Sequence, residues 1–159
     1  MGEEQIPSKS IKAKTKEIPT KMIETFNLFK EIKSLNKTPE EYGFTKTLKD
    51  VTDGCVMEAN NLWIGAWTNY REFDARFSLP CKEKIFSAQK ITVVYQLSGD
   101  GSSTISGETI ITYMDNTKET KKTATSTKAG VNQYTDYTTE IELQNKQIKS
   151  IELRMYRNK

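Results

Sequence analysis

Four segments of the chain alternate apolar and polar residues with a period of two. The first runs from Phe73 to Leu79, where Ala75 and Phe77 complete the apolar set. The apolar members of the other segments are Ile91, Val93, Tyr95 and Leu97; Ile141 and Leu143; and Ile151, Leu153 and Met155. Alternation of this kind buries one face of a β-strand and leaves the other in water. Because short strands recur without a helical period between them, the sequence predicts an antiparallel β-sandwich or β-barrel over residues 56–159.

The first nineteen residues have a different composition from the rest of the chain. After Met1, the large apolar residues among residues 1–19 are Ile6, Ile11 and Ile18. Such a segment cannot by itself bury enough surface to offset the entropy lost on ordering. We therefore expect residues 1–19 to form an extended arm that anchors the chain to a partner.

Residues 20–55 are predicted to be a helical segment that links or oligomerises the chain. A helix is expected over residues 20–36, with Thr20 as N-cap. Its apolar stripe consists of Met22, Phe26, Phe29 and Ile32, widened by Ile23, Leu28 and Leu35. This stripe packs either on the protein's own sandwich or against copies of the same helix, and we assign Met22, Phe26, Phe29 and Ile32 to oligomerisation.

A second helix start follows at residues 38–41, where Thr38 caps, Pro39 occupies the first helical position and Glu41 closes a capping box. Residues 45–60 are predicted to be a connecting segment with a turn at Asp53-Gly54. Further turns are expected at residues 98–101 and at Asp115-Asn116.

Composition excludes several classes of site. The chain has no His, which excludes His-based triads and His metal sites. The net charge of +3 arises within residues 1–49, and residues 50–159 are balanced, which argues against a nucleic-acid reader. Cys55 and Cys81 are expected to be free thiols in a reducing cytosol, the alternative being one disulfide in an exported domain. No signal peptide or membrane-spanning run is apparent, so we expect a soluble protein.

Two pairs of carboxylates could in principle act as acid and base. Glu72 and Asp74 share a strand face, as do Glu140 and Glu142. Basic neighbours favour a solvated outer face for these pairs instead. The turn residues Asp100 and Asp115 could join a calcium site, but no calcium-binding run surrounds them. We therefore assign no catalytic residue, no metal and no cofactor, and expect a protein that is not an enzyme.

Aromatic residues are concentrated between positions 63 and 70. Trp63 and Trp67 would share a face of one strand, and Tyr70 follows closely. With Asn69 and Arg71 beside them, these aromatics are predicted to form a ligand-binding platform for a saccharide. The alternative is that the tryptophans fill the core or a subunit interface.

The order of strands and turns resembles a known group of proteins. The segments that carry the resemblance are residues 91–101 (ITVVYQLSGDG), 109–115 (TIITYMD), 134–143 (YTDYTTEIEL) and 148–156 (IKSIELRMY). They are similar to the galactose-binding-like jelly rolls, which include carbohydrate-binding modules and domains of bacteriophage tail and fibre proteins.

The resemblance implies an antiparallel jelly-roll β-sandwich in a non-catalytic virion structural protein, such as a head or tail fibre, decoration or baseplate component. Such a protein would be made in the host cytoplasm and form a homo-oligomer, with a trimer favoured, while residues 1–19 contact other virion proteins. Neither a membrane nor a nucleic acid is expected as a partner. The alternatives are a free-standing carbohydrate-binding module or lectin and, in a third class, a small inhibitor or chaperone-type adaptor.

Overall fold

The fold is given by a computed structural model that describes residues 25–51, 56–58, 63–65, 68, 70, 72–81, 88–98, 104–126, 135–144 and 146–157. In these ranges the chain forms helices α1 (Leu28–Ser34) and α2 (Pro39–Tyr42) and strands β1 (Thr45–Lys49), β2 (Val56–Glu58), β3 (Trp63–Gly65), β4 (Phe73–Pro80), β5 (Lys90–Leu97), β6 (Ile105–Tyr113), β7 (Lys118–Ser126), β8 (Thr135–Glu142) and β9 (Ile148–Arg157). Among the residues so described, no helix has the length and apolar character needed to cross a membrane.

The described strands form three antiparallel sheets. The largest has five strands in the order β1-β4-β9-β6-β7, while β2 pairs with β3 and β5 pairs with β8. In the five-stranded sheet, Phe77 of β4 lies opposite Leu153 of β9, which in turn lies opposite Thr109 of β6. This arrangement confirms the predicted mainly β, antiparallel class.

The core lies between one face of the five-stranded sheet and the β5–β8 pair. Ala75, Phe77 and Leu79 of β4 are buried, as the alternation predicts. From the opposing pair, Ile141 of β8 joins the same cluster, and Tyr95 of β5 belongs to a second, smaller cluster. Burying a large apolar side chain contributes roughly 1.5–3 kcal/mol, so this face provides most of the driving force for folding.

Strand β9 departs from the predicted alternation. Ile151, Leu153 and Met155 are half-buried, but so are Glu152 and Arg154, and Tyr156 is buried outright. Residues on both faces of β9 are shielded because β9 is the central strand of the five-stranded sheet. Side chains from both neighbouring strands shield its polar face as well as its apolar one.

Helix α1 is shorter than the helix predicted over residues 20–36. It begins at Leu28, because the Asn27 side chain accepts a hydrogen bond from the backbone N–H of Lys30 (3.0 Å) and acts as N-cap. Thr25 and Phe26 precede the cap and are not helical. Thr20, the predicted cap, lies outside the described residues.

Helix α2 confirms the predicted capping box. The Thr38 side chain accepts from the Glu41 backbone N–H (3.1 Å), and the Glu41 carboxylate accepts from the Thr38 backbone N–H (2.9 Å). The helix ends at Gly43, whose φ of 134° suits a residue without a β-carbon.

Residues 45–60 are not merely a connecting segment, because β1 occupies residues 45–49 and pairs with β4. All five β1 residues are exposed, and Lys46 and Lys49 protect this outer edge from further pairing. The turn predicted at Asp53-Gly54 and most of the one at 98–101 lie outside the described residues. The turn at Asp115-Asn116 is confirmed, with φ of 68° at Asn116.

The helices and the sheets share one core. Ile32 of α1, Tyr42 of α2 and the following Phe44 pack in the cluster that contains Leu79 and Ile148. The predicted division at residues 55 and 56 therefore does not separate two cores among the described residues. Residues 1–19, the predicted arm, lie outside the described ranges.

Candidate functional site

The predicted ligand platform is described in part. The backbone of Trp63 belongs to β3, and Tyr70 is 54% exposed, whereas Trp67, Asn69 and Arg71 lie outside the described residues. The backbone of Tyr70 is held at both polar groups. Its N–H donates to Thr68 Oγ1 (3.0 Å), and its carbonyl accepts from Arg157 Nη2 (2.9 Å). The phenol ring is therefore an exposed, flat surface on an anchored backbone.

The four residues predicted to oligomerise lie in different environments. Ile32 is fully buried in the chain's own core, and the half-buried ring of Phe29 lies 6.3 Å from that of Phe44. Both side chains pack within the chain, and Ile32 has no exposed surface left for a contact between copies. For the half-buried Phe29 the assignment stays a prediction. Phe26 is 36% exposed and Met22 lies outside the described residues.

An open groove of about 690 Å³ runs beside the first turn of α1, lined by Thr25, Phe26, Asn27, Lys30, Glu31 and Ser34. It includes the exposed part of the predicted stripe. The oligomeric state itself stays a prediction.

The largest set of interacting charges is on the face of the five-stranded sheet that points away from the core. We call it the polar cluster; it consists of Asp74 and Arg76 of β4, Glu108 of β6, and Glu152 and Arg154 of β9. Arg154 Nη2 donates to Asp74 Oδ2 (2.7 Å) and its Nη1 donates to Glu108 Oε1 (3.0 Å), so one guanidinium joins three strands. Arg76 Nε donates to Asp74 Oδ1 (3.1 Å).

The register of β4 and β9 explains why carboxylates are required to stabilise the polar cluster. Arg76 lies directly opposite Arg154 in the β4–β9 pair, and like charges at opposed positions destabilise a sheet. Asp74 offsets this repulsion because it accepts hydrogen bonds from both guanidinium groups. Glu152 accepts from Arg76 Nη1 (3.4 Å) and from Ser78 Oγ (3.0 Å) at the other end.

The pKa values in the polar cluster follow from these contacts. Burial acts to raise the pKa of Asp74, but the hydrogen bonds donated by Arg154 and Arg76 outweigh it and hold the pKa below its usual value. The same bonds raise the pKa values of Arg154 and Arg76. All three groups are thus held in their charged forms. A carboxylate in this state cannot act as a general acid near neutral pH.

Two cations stack on an aromatic ring beside the polar cluster. The Arg154 guanidinium carbon lies 3.9 Å from the centroid of the Tyr156 ring, and Lys122 Nζ lies 5.8 Å from it. Stacking fixes the plane of the Arg154 guanidinium so that it faces both carboxylates. The polar cluster itself has three carboxylates and two guanidinium groups, and Lys122 beside it supplies a third positive charge.

The remaining acidic candidates are accounted for by ordinary contacts. Glu72 is exposed at the start of β4, and Glu140 and Glu142 are exposed on the outer face of β8. Glu140 forms an ion pair with Lys90 (3.5 Å). These positions confirm the solvated outer face expected for Glu140 and Glu142.

Asp115 takes part in a turn. Hydrogen bonds from the Thr117 hydroxyl and backbone N–H, with a further contribution from Lys146, lower the pKa of Asp115 to about 2. Asp100 lies outside the described residues. Within the described ranges, no group of three or more Cys, Asp or Glu side chains is placed to hold a metal ion.

Cys81 is a free thiol at the end of β4. Its side chain packs at the edge of the main core cluster, and burial raises the pKa of the thiol to about 12. Because the thiolate is the reactive form, Cys81 is chemically inert at neutral pH. Cys55 lies outside the described residues.

Comparisons of this chain with protein-family models, with curated proteins and with solved structures find no match.

Sequence reasoning identified Asp74 and its basic neighbour Arg76 but missed Arg154 and Glu108. Arg154 lies 80 residues further along the chain and Glu108 a further strand away in the sheet. The available signal was that polar residues occupy alternate positions of β4 and of β9. These residues lie on the same face of the sheet once the two strands are known to pair. Sequence alone does not reveal that pairing.

Proposed function

We propose that this chain is a non-catalytic structural protein of a bacteriophage particle, such as a head or tail fibre, decoration or baseplate component, built on a jelly-roll β-sandwich. The observation that carries the proposal is the polar cluster. Its charges are paired across three strands and Asp74 is held ionised, which suits a rigid surface and not proton transfer. The virion context comes from the resemblance of residues 91–156 to such domains.

In this proposal, different segments of the chain have different roles. Residues 1–19 anchor the protein to neighbouring virion proteins, and the sandwich faces outward. Because the chain's apolar stripe at α1 is largely used in its own core, contacts between copies would involve the arm and the open groove beside Phe26. The expected assembly is a symmetric homo-oligomer, with a trimer as the leading candidate.

Solution mass tests this proposal. Sedimentation equilibrium of the full chain across a range of micromolar concentrations should give a mass of several copies. A chain that begins at Thr20 should keep its thermal midpoint but lose the oligomer, because residues 1–19 contribute just three large apolar residues. A full chain that stays monomeric throughout would contradict the structural role.

A second candidate is a carbohydrate-binding module, favoured by the exposed and anchored ring of Tyr70. A flat ring on a fixed backbone suits stacking against a sugar face, with Trp63 and Trp67 close in sequence. Stacking on an aromatic ring contributes on the order of 1 kcal/mol, so Tyr70→Ala should weaken glycan binding by about fivefold to tenfold.

Tyr70→Phe is the matched control, because it keeps the ring and should bind within about twofold of the original chain. Titration of soluble host cell-wall glycans, followed by tryptophan fluorescence, measures both variants. Equal affinity of the alanine and phenylalanine variants would exclude a stacking role for this ring.

A further inference from the structure

Strand β5 has an outer edge with no partner strand among the described residues, where it pairs with β8 alone. The Leu143 N–H donates to the Gln89 carbonyl (2.9 Å), and the register continues without a break along the pair. Hydrogen bonds to β8 in an antiparallel pair therefore fall at alternate residues, beginning with Ile91. The backbone N–H and C=O groups of the residues between them, namely Thr92, Val94 and Gln96, point away from β8.

This edge lacks the charged residues that keep outer strands from pairing. The outer strands β1, β7 and β8 each carry at least two charged residues, whereas β5 carries only Lys90, at its first position. The side chain of Val94, in the middle of the edge, is 54% exposed. An edge strand of eight residues with a single charge, at its first position, is a ready template for another strand.

At the Ile91–Val93 end of the pair, the core is less closed on β5 than on β8. On β8, the inward-facing Thr139 and Ile141 are buried. Their direct partners on β5, Val93 and Ile91, are only half-buried. One more strand beside β5 would cover the exposed part of these two side chains.

The N-terminal arm contains a segment with the pattern of such a strand. Residues 8–18 lie between Pro7 and Pro19, neither of which can donate a backbone hydrogen bond. Within this segment Ile11, Ala13 and Thr15 alternate with Lys12, Lys14 and Lys16. We propose that residues 8–18 of one copy add as a strand to the β5 edge of a neighbouring copy. This inference rests on the homo-oligomer of the proposed function and names the contact that the arm makes.

Charge favours this occupant. The segment has four lysines and one glutamate, and the outer face of the β5–β8 pair carries Asp136, Glu140 and Glu142 against Lys90. With Ile11 and Ala13 facing the core, the lysine row would lie on that acidic outer face. Residues 25–27, where the described chain begins, are exposed.

Amide hydrogen exchange on the full chain tests the proposal. The double variant Ala13→Pro/Lys14→Pro removes the backbone donor of one core-facing and one outward-facing residue of the added strand, so it deletes a hydrogen bond to β5 whichever way the strand runs. It touches no described residue, so the sandwich should fold unchanged. In the oligomer of the original chain, the amides of Thr92, Val94 and Gln96 should exchange at least about tenfold more slowly than in this variant. Glu4→Pro, outside the segment, should leave their exchange as in the original chain.

Val94→Pro is a second test from the other side of the contact. The Val94 N–H points away from β8, so proline is tolerated there as on other edge strands, and the oligomer should dissociate. Fast exchange at Thr92 and Gln96 in an oligomer that the double proline variant leaves intact would overturn the strand addition while the proposed function stands. If the full chain is a monomer and these amides still exchange slowly, the arm pairs with the sheet of its own chain. That result would overturn the proposed contact between copies.

Discussion

Replacing Arg154 with methionine is expected to lower the free energy of unfolding by about 2 kcal/mol. The side chains of Arg154, Asp74 and Glu108 are only 20%, 22% and 15% exposed. Removing the guanidinium leaves both carboxylates without their shared donor, and Asp74 retains Arg76 alone. Urea denaturation at neutral pH measures the loss.

Arg76→Met is the matched control, because Arg76 is the more exposed guanidinium at 37% and does not reach Glu108. It should cost about 0.5 kcal/mol. Since the pKa of Asp74 is lowered in the folded chain, its contribution is present above the usual carboxyl pKa of about 4 and is lost as pH falls through the folded value. The difference between Arg154→Met and the original chain should therefore shrink below about pH 4. Equal losses for the two variants at neutral pH would contradict the bridging role of Arg154.

Ile32→Ala is expected to cost about 3 kcal/mol, the typical value for removing three buried carbons from a packed core. Ile32 is fully buried and belongs to the cluster that also contains Leu79 and Ile148. The loss should appear in one cooperative transition of the whole sandwich, because the helix and the sheets share that cluster. Thermal and urea unfolding, followed both by far-ultraviolet circular dichroism and by tryptophan fluorescence, measure it.

Phe26→Ala provides the comparison on the same predicted stripe. Phe26 lies before the helix begins and is 36% exposed, so truncating it should cost under about 1 kcal/mol. If Ile32→Ala instead left the sandwich transition unchanged, the helix would be an independent attachment.

The sequence predicts the strands in which alternate side chains pack in the core while the others face water. Strands β4, β5 and β8 follow this rule. The capping box of α2 can be predicted from the sequence because its two residues lie only three positions apart. Strand β1 was missed because its residues, TKTLK, are exposed on both faces and show no apolar alternation. The start of α1 was misplaced because Thr20 and Asn27 are both good N-caps, and only packing of Leu28, Phe29 and Ile32 selects the second.

The candidate site was less predictable than the fold. Whether Asp74 serves as acid, surface charge or bridge depends on which strands lie beside β4, and the strand order β1-β4-β9-β6-β7 is set by packing of distant segments. The exposed ring of Tyr70 was predicted from local aromatic density, while its anchoring by Arg157 involves a residue 87 positions away.

The position of β9 also constrains the order of events during synthesis. It is the last described strand along the chain, yet it lies at the centre of the largest sheet, between β4 and β6. Before β9 has left the ribosome, the β1–β4 and β6–β7 pairs have no strand between them and their inner edges are open. The nascent chain therefore cannot complete the five-stranded sheet until β9 has emerged. During that interval its open strand edges make it most prone to misassembly with other nascent chains.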